Sequence, residues 1–308
     1  MDTPKNFTTI QLRGGLGNQL FQYSFGKCLE LSHGRQVTFD NRNYVYPFIR
    51  QDRALEVDKF IDLPILEIEP VVRFLTRFQA HLKHFSLISN LYKKMLIIID
   101  NKLKSRSYTF MDEYLFDFAS IPDRSIYLLG DFTSCKYHRD NTAEIHNLIR
   151  SAMCAKFHSG TYKLGEKTVG IHVRRGDYVK SNKTRDFHGY CDTNFYIESL
   201  KSLMKRFEIT NVYLASDDFD MCKDIEFQIR ALGLGYSQIE LDPASTMHAL
   251  SHFPYFIGSN STFSWWVGAL AIGQKSIFPQ KWFKNEQHNF DIQTYFSFRH
   301  ELMQNELI

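Results

Sequence analysis

The chain has 308 residues, enough for two domains with sizeable cores, and its 44% hydrophobic and 23% charged content is ordinary for a globular protein. A formal net charge of +3 is too small to indicate a nucleic-acid partner. The 5 cysteines are scattered and form no C-x-x-C pair, which argues against a disulfide framework and a zinc site and favours a reducing compartment. No apolar run reaches the roughly 18 residues that cross a bilayer, and no signal-peptide pattern is seen. We therefore predict a cytoplasmic protein.

The N-terminal half opens with the pattern of a βαβ unit. A strand is predicted from Phe7 to Leu12, and a glycine turn at 14–17 leads into a helix for which Asn18 is a suitable N-cap. A second strand is predicted at 37–39, so the pattern indicates a parallel sheet.

A basic segment spans residues 71–106. It holds eight Lys and Arg residues against a single acid, Asp100, with apolar residues interleaved. One or two surface helices with a solvated basic face would give this pattern, and so would a patch that meets a membrane surface or an anionic acceptor. Both interpretations stay open at this point.

After a strand at 125–129, a helix at 141–155 and a turn near residue 160, the second half repeats the alternation of strands and helices. Its strands are predicted at 168–174, 211–215, 237–241, 255–258 and 275–278. Its helices are predicted at 193–206, 220–232, 245–252 and 264–272. This rhythm predicts an α/β protein with two Rossmann-like domains that face a central cleft, over residues 1–160 and 161–308.

The glycine turn near the N-terminus is only partly the pattern of a nucleotide site. Counted from Gly15, the G-x-G-x-x-G fingerprint of dinucleotide-binding proteins would need a third glycine where Leu20 stands. The segment also lacks the Gly-Lys-Ser/Thr sequence that ends a P-loop. A tight turn at a helix N-terminus remains, and such a turn can admit a ligand to backbone amides. A simple strand-to-helix connection explains the glycines equally well.

The segment from His172 to Tyr178 follows an apolar run that predicts a buried strand. Arg174 and Arg175 stand where this strand ends, and open α/β sheets bind ligands outside the carboxyl ends of their strands. A guanidinium matches a phosphate, and alternation along a strand directs the two side chains to opposite sides. One arginine then reaches an anionic ligand, close to Asp177, while the other braces a neighbour. Residues 175–177 also form the Arg-Gly-Asp tripeptide of adhesive proteins. An adhesive role needs an exposed loop tip, and it is disfavoured here because a strand runs directly into the tripeptide.

The segment from Asn260 to Trp266 joins an apolar strand to a hydroxyl-rich turn and an apolar helix. Ser261 and Thr262 at the helix start can cap it, and can offer amides and the positive end of the helix dipole to a phosphate. Capping alone explains a lone S-T-x-S, but the arginine pair in the same half favours anion binding. The acids of Ser216-Asp217-Asp218 are expected to cap a helix rather than hold a metal or ribose.

Together these segments resemble those of the bacterial α-1,2-fucosyltransferases of glycosyltransferase family 11. The likeness is carried, in family order, by Gly15–Tyr23, His172–Tyr178 and Asn260–Trp266. It implies a GT-B-like fold that transfers fucose with inversion from GDP-β-L-fucose to the 2-hydroxyl of a terminal β-galactoside, with no cofactor and no required metal. The donor would lie in the C-terminal domain, and the acceptor would face the N-terminal domain.

The resemblance also implies site residues on the donor side. Arg174 would contact the β-phosphate, and Asp177 is the candidate general base, with His172 a further catalytic candidate. The donor contacts would be Arg174, Arg175, Asn260, Ser261, Thr262, Phe263 and Asp242.

Asp242 is included because the family often carries an acid where Thr246 stands here. On the acceptor side, Gly15, Asn18 and Gln19 would line the cleft.

Several alternatives stay open. The same fold with another nucleotide-sugar donor or linkage would carry these motifs, and a non-catalytic carbohydrate-binding or adhesion protein would bind sugar irrespective of GDP. The acceptors compatible with the resemblance include lipid-linked oligosaccharides, which would give segment 71–106 a role in peripheral contact with the inner membrane. A nucleic-acid partner is not expected.

Overall fold

The computed structural model describes residues 7–45, 53–66, 109–112, 116–123, 125–157, 165–180, 182–284 and 300–308. The basic segment 71–106 lies outside these ranges, so both of its interpretations stay predictions. The chain divides into two compact units, Met1–Thr133 and Ser134–Ile308, each with its own parallel sheet, which confirms the predicted α/β class. Of the helices within the described ranges, none combines the length and apolar character that a membrane crossing requires.

The first unit is built on a parallel sheet. Its strands are β1 (Phe7–Gln11), β2 (Gln36–Asp40), β3 (Thr109–Asp112) and β4 (Ile126–Leu129). Its helices are α1 (Leu16–His33) and α2 (Arg42–Val45), with short 3₁₀ turns at Val57–Lys59 and Phe118–Ser120. The strand order is β2-β1-β4-β3, so β1 and β4 are the central strands.

Helix α1 packs on this sheet through an aromatic face. Phe25 is fully buried, and its ring stacks on Phe132 with 4.3 Å between centroids. Gly26 allows the helix to approach β2, because a Cβ there would lie 2.8 Å from the ring of Phe39. The helix ends at Gly34, whose φ of 59° turns its amide back onto the carbonyls of the last turn.

The second unit contains a larger parallel sheet. Its strands are β5 (Thr168–Val173), β6 (Asn211–Ser216), β7 (Gly235–Gln238), β8 (Tyr255–Ile257), β9 (Lys275–Pro279) and β10 (Glu301–Met303). Its helices are α3 (Thr142–Lys156), α4 (Gly176–Lys180), α5 (Asn182–His188), α6 (Thr193–Met204), α7 (Lys223–Ala231), α8 (Pro243–Leu250) and α9 (Thr262–Leu270). Short 3₁₀ turns lie at Cys135–Tyr137, Arg139–Asn141 and Asp220–Cys222.

The strand order of the second unit, β10-β9-β8-β5-β6-β7, contains a reversal. The chain runs outward from β5 through β6 and β7, and then returns to the other side of β5 to form β8. The sheet therefore has a topological switch point between β5 and β8, the place where open α/β sheets bind ligands.

The predicted helices and strands of this unit are largely confirmed, with differences at their ends. Helices α8 and α9 begin earlier than predicted because the side chains of Asp242 and Ser261 cap them. Strand β7 ends at Gln238, so the strand predicted at 237–241 was placed too late.

The boundary between the units lies before Ser134, earlier than the predicted boundary at residue 160. Helix α3 explains this correction, because its residues join the core of the second unit. Arg150 donates to the carbonyl of Leu270 at 2.7 Å, and the ring of His146 packs edge-on against Trp266 at 5.3 Å. The acceptor-side and donor-side roles of the two units, and the cleft, stay predictions.

Candidate active site

The two segments predicted to bind an anion meet at the switch point of the second unit. Strands β5 and β8 run in parallel, with Ile171 opposite Ile257, so both end at the same edge of the sheet. Arg174 follows the end of β5, and Ser261 stands between β8 and α9. The sheet thus brings together a guanidinium and the start of a helix, two groups that favour a phosphate.

The side chain of Arg174 is held by Asp217. Nη1 of the arginine lies 2.6 Å from Oδ2 of the carboxylate, and the two side chains are only 17% and 19% exposed. The other oxygen, Oδ1, accepts the backbone amides of Arg175 and Gly176 at 2.9 and 3.1 Å. One carboxylate therefore orients both the guanidinium and the backbone that carries it.

Gly176 is required by this arrangement, because a Cβ at its position would collide with the carboxylate of Asp217. Asp217 does not cap the helix that follows it in the chain; its carboxylate instead accepts the amide of Gly176, the first residue of α4. Asp217 follows the last residue of β6, and β6 pairs with β5 along their whole length, which brings the carboxylate to the arginine segment. Its position at the end of a neighbouring strand was the available signal.

Arg175 points into the unit, away from Arg174. It is 3% exposed, its Nη1 donates to the carbonyl of Cys191 at 2.8 Å, and its guanidinium lies 4.6 Å from the ring centroid of Tyr190. These contacts are those of the brace expected for one arginine of the pair, and a contact of Arg175 with the donor stays a prediction. Its burial also removes the adhesion interpretation, since an adhesive Arg-Gly-Asp must be exposed. The side chain of Asp177 lies outside the described part of the chain, so its role stays a prediction.

His172 is a buried positioning residue. Its Nδ1 lies 2.7 Å from Oγ of Ser264 and 3.3 Å from Oγ of Ser259. Burial, reinforced by the charge of Arg174 and opposed by that of Asp217, lowers the pKa of His172 to about 3. The ring is therefore neutral at neutral pH and a weak base, and its catalytic role stays a prediction.

The turn between β8 and α9 is organised by its hydroxyls. Oγ of Ser261 accepts the amide of Phe263 at 3.3 Å, and Oγ of Ser264 accepts the amide of Ser259 at 3.0 Å. The ring of Phe263 lies 4.6 Å from that of His172. Thr262 and Phe263 are partly exposed, so the start of α9 presents backbone amides and an aromatic edge to a ligand.

Asn260 is a structural tether. It is fully buried, its Nδ2 donates to the carbonyls of Gly189 and Trp282 at 3.1 and 3.0 Å, and its Oδ1 faces the thiol of Cys191. These bonds hold the segments that follow α5 and β9 against the switch point. A contact of Asn260 with the donor stays a prediction.

Asp242 caps α8. Its Oδ1 accepts the amides of Ala244 and Ser245 at 3.1 and 3.3 Å. Thr246, which stands where the family often has an acid, is buried and bonds the carbonyl of Leu241 at 3.1 Å. A nucleoside contact by Asp242 stays a prediction.

In the first unit, the glycine turn carries a polar cluster at the end of β1. Helix α1 begins at Leu16, so Asn18 is not its N-cap. Instead, its Nδ2 donates to Asp131 at 3.3 Å, and Asp131 is bound by both Nε and Nη2 of Arg13 at 2.8 Å. Gly15 stands in the capping position with open space beside it, where a ligand can approach the backbone.

Gln19 is committed to the fold. It is fully buried, and its amide nitrogen donates to the carbonyls of Gly14 and Ala54 at 3.0 and 2.9 Å. Its oxygen accepts the amides of Glu56 and Val57 at 2.9 and 3.1 Å. These four bonds hold the glycine turn against residues 54–57, and the role of Gln19 in lining the cleft stays a prediction.

The second unit thus places an oriented arginine and a helix start at the switch point of a parallel sheet, an arrangement suited to a phosphate-bearing ligand. The sequence matches the family model of glycosyl transferase family 11 over residues 7–297, and the chain belongs to that family.

Two glycosyltransferases of Escherichia coli are similar to this chain over most of its length. An alpha-1,2-colitosyltransferase of Escherichia coli is 27% identical over 295 residues, covering 92% of this chain and 95% of the relative. The O-antigen biosynthesis glycosyltransferase WbnK of Escherichia coli is 23% identical over 292 residues, covering 88% and 93%. Among solved structures, POFUT1 in complex with GDP is similar with a TM-score of 0.46 and 12% identity, covering 90% of this chain and 99% of that one.

Proposed function

We propose that this glycosyltransferase transfers L-fucose from GDP-β-L-fucose to the 2-hydroxyl of a terminal β-galactoside, forming an α-1,2 linkage with inversion. The observation that carries the proposal is the Arg174–Asp217 pair at the switch point, beside the start of α9. Membership of the family supports sugar transfer, and the alpha-1,2 relative supports the linkage. The O-antigen relative supports an acceptor from surface polysaccharide assembly, including a lipid-linked one.

The departing diphosphate explains what Arg174 would do. As the sugar leaves GDP, negative charge grows on the β-phosphate, and preorganised donors stabilise that charge. A guanidinium has five N–H donors, so Asp217 can orient it while other donors face the phosphate. The amides around Thr262 and Phe263, at the positive end of α9, would share this task. In this proposal the reaction needs no metal, because these groups supply the positive charge.

A second donor is favoured by one comparison. The 27% identical relative is a colitosyltransferase, and colitose is fucose without its 3-hydroxyl. A site that hydrogen-bonds this hydroxyl would reject colitose by about 10⁴-fold or more, whereas an apolar pocket would discriminate only weakly. Comparing kcat/KM for GDP-fucose and GDP-colitose therefore separates the two candidates.

For the acceptor, we propose that the turn carrying Gly15 and Asn18 contacts the galactoside, with Asp177 as the general base for its hydroxyl. The Asp177→Asn variant tests the second part. Loss of turnover together with loss of the acidic limb of the pH–rate profile would support the role. Retained turnover with an unchanged profile would exclude it.

The function is tested by one assay with GDP-fucose, GDP-colitose, GDP-mannose and UDP-galactose against a panel of β-galactosides, with product linkage determined by NMR. The proposal expects an α-1,2-fucosylated product. A different donor or linkage in the product would overturn that part of the proposal. Arg174→Ala is expected to lower turnover about 10²- to 10³-fold, the scale of one lost charge stabiliser.

The matched control for that variant is Arg206→Ala. Arg206 is an exposed arginine of the same unit that pairs with Glu301 at 2.8 Å. Its loss is expected to leave turnover unchanged. Normal turnover of Arg174→Ala would instead make Arg174 a structural brace.

A further inference from the structure

The second unit carries three side chains suited to a transition metal, and the function proposed above uses none of them. They are Cys154 in α3, His248 in α8 and His252 just after α8. Their ligand atoms all lie within 4.8 Å of one another. Cys154 and His252 are exposed, whereas His248 is buried.

The two histidines are presented by one helix and its extension. His248 and His252 are four residues apart, which places them on the same face, with ring centroids 4.5 Å apart. The last turn of α3 brings Cys154 to this face. Contact between the ring of His248 and that of Phe157, 6.0 Å away, holds the end of α3 against α8.

The ring of His252 is preoriented for ligation. Its Nδ1 lies 2.7 Å from the carbonyl oxygen of His248, and because a carbonyl only accepts, Nδ1 carries the proton. Nε2 of His252 then bears the lone pair. Histidines that ligate metals characteristically donate their other ring N–H to such an acceptor, which sets the tautomer and the ring orientation.

We propose that these three residues form a zinc-binding site that bridges α3 and α8. One thiolate and two imidazoles favour Zn²⁺ over the oxygen-seeking Mg²⁺ and Ca²⁺. Zinc bonds of about 2.0 to 2.3 Å in a tetrahedron separate ligand atoms by about 3.3 to 3.6 Å, so side-chain movements of roughly 1 Å close the site. Binding forms the Zn–S bond and releases the thiol proton to solvent, and a water fills the fourth position.

The site lies at the opposite edge of the sheet from Arg174. Asp242 starts α8 on the side where β7 ends, and His252 precedes Tyr255, the first residue of β8. Arg174 and Ser261 follow the carboxyl ends of their strands, whereas the three metal ligands lie near the amino end of β8. The bound metal would therefore stabilise the unit without entering the transfer reaction.

The lack of a closely spaced cysteine pair argues only against zinc sites whose ligands are neighbouring cysteines. Here the ligands are one cysteine of α3 and two histidines in and just after α8, and the packing of α3 on α8 brings them together.

The test is a titration of the full-length, metal-free, reduced protein with Co²⁺ alone. The proposal expects a thiolate-to-cobalt charge-transfer band that saturates at about one Co²⁺ per chain and is abolished by Zn²⁺. Absence of the band in the wild-type protein would overturn the proposal.

Variants identify the ligands. Cys154→Ser and His252→Gln change exposed side chains, and both are expected to remove the band while far-ultraviolet circular dichroism stays that of the wild type. The matched control is His33→Gln, an exposed histidine of the first unit whose ring stacks on Phe118, and it is expected to keep the band. A band that persists in Cys154→Ser, or disappears in His33→Gln, would contradict the assigned ligands.

Stability and turnover complete the test. Zn²⁺ is expected to raise the Tm of the wild type, because it binds the folded state, and to leave the Tm of Cys154→Ser unchanged. A chelator is expected to reverse the gain in Tm without lowering turnover. A chelator that abolishes turnover and spares Tm would place the metal in the reaction instead.

Discussion

Asp217 binds Arg174 from the neighbouring strand, with 2.6 Å between Oδ2 and Nη1, and holds the next two backbone amides through Oδ1. A guanidinium on a flexible side chain would otherwise sample many rotamers. Fixing it in advance removes the cost of ordering it when a diphosphate arrives or when charge develops. Asp217 is therefore a positioning residue for the proposed phosphate contact.

Asp217→Asn tests this positioning role. The variant keeps the shape of the side chain but removes the charge that orients Arg174. We expect kcat to fall about 10²-fold, the cost of a misplacement near 1 Å, with a smaller change in KM for the acceptor. Steady-state kinetics with varied donor and acceptor measure both effects. Asp220→Asn, at an exposed acid that pairs with Lys223 at 2.9 Å, is the control, and equal effects in both variants would contradict the role.

Gly176→Ala tests the same contact from the backbone side. The added Cβ must displace the carboxylate of Asp217, so we expect a loss of about 1–3 kcal/mol in the free energy of unfolding and a fall in turnover. Denaturant unfolding and turnover measure the two effects. Gly165→Ala places a Cβ in open space and is expected to change neither. Unchanged turnover in Gly176→Ala would mean that the contact with Asp217 is dispensable.

Buried histidines make the second unit sensitive to acid. Burial lowers the pKa of His138 to about 3 and that of His146 to about 4; the charge of His146 adds to the first shift, and the charge of Arg150 adds to the second. In the unfolded chain both imidazoles have a pKa of about 6.5. Below that pH the unfolded state therefore binds protons at these two groups while the folded state does not. Stability is therefore fully present above pH ~6.5 and falls as the pH drops toward the folded pKa values.

His138→Phe keeps a ring against Trp266 and removes one titrating group. We expect its unfolding free energy to depend less steeply on pH, by up to about 1.4 kcal/mol per pH unit in the acid range. Tryptophan fluorescence reports on this unit, because the 3 tryptophans of the chain all lie in it. His33→Gln, at an exposed histidine of the other unit, serves as the control. A variant with the wild-type slope would show that His138 carries no part of the acid sensitivity.

A buried ion pair is a point of vulnerability in the first unit. Asp40 and Arg42 are only 1% and 5% exposed, and Nη2 of the arginine lies 2.6 Å from Oδ2 of the aspartate. The hydroxyl of Tyr127 also donates to the carboxylate of Asp40. Burial alone would raise the pKa of Asp40, but the charge and hydrogen bonds of Arg42 hold it below its usual value. Asp40→Asn leaves the guanidinium buried without its counter-ion, at an expected cost of about 3–5 kcal/mol.

Urea unfolding followed by circular dichroism measures this loss, since the first unit has no tryptophan. Asp58→Asn, at an exposed acid of the same unit, is expected to change stability by less than about 0.5 kcal/mol. Equal stability of the two variants would mean that water reaches Arg42 when Asp40 is neutralised.

The strand before Arg174 and the helix start after Ser261 could be predicted because each is marked by a local sequence pattern. An apolar run marks β5, an arginine pair marks its end, and hydroxyls before an apolar helix mark the start of α9. The two segments are far apart in the chain, and the parallel pairing of β5 with β8 joins them. The part played by Asp217 could not be read in the same way, because it depends on β6 pairing with β5 in one register.

Polar residues within the motifs were harder to assign. Gln19 and Asn260 were expected to face ligands, yet both are buried and bind backbone carbonyls. The sequence does not distinguish an amide side chain that binds a ligand from one that binds a loop backbone, because its partner is determined by the packing of the fold. Strands β3 and β10 were also missed, because edge strands of 4 and 3 residues carry too little periodicity.

The most direct test of the proposed donor site is the affinity for GDP, measured by isothermal titration calorimetry. The wild type and Arg206→Ala are expected to bind GDP alike and to prefer it to UDP. Arg174→Ala is expected to bind about 10- to 100-fold more weakly, the worth of one charge-assisted hydrogen bond. Undiminished GDP binding by Arg174→Ala, or no binding by the wild type, would contradict a diphosphate site at the switch point.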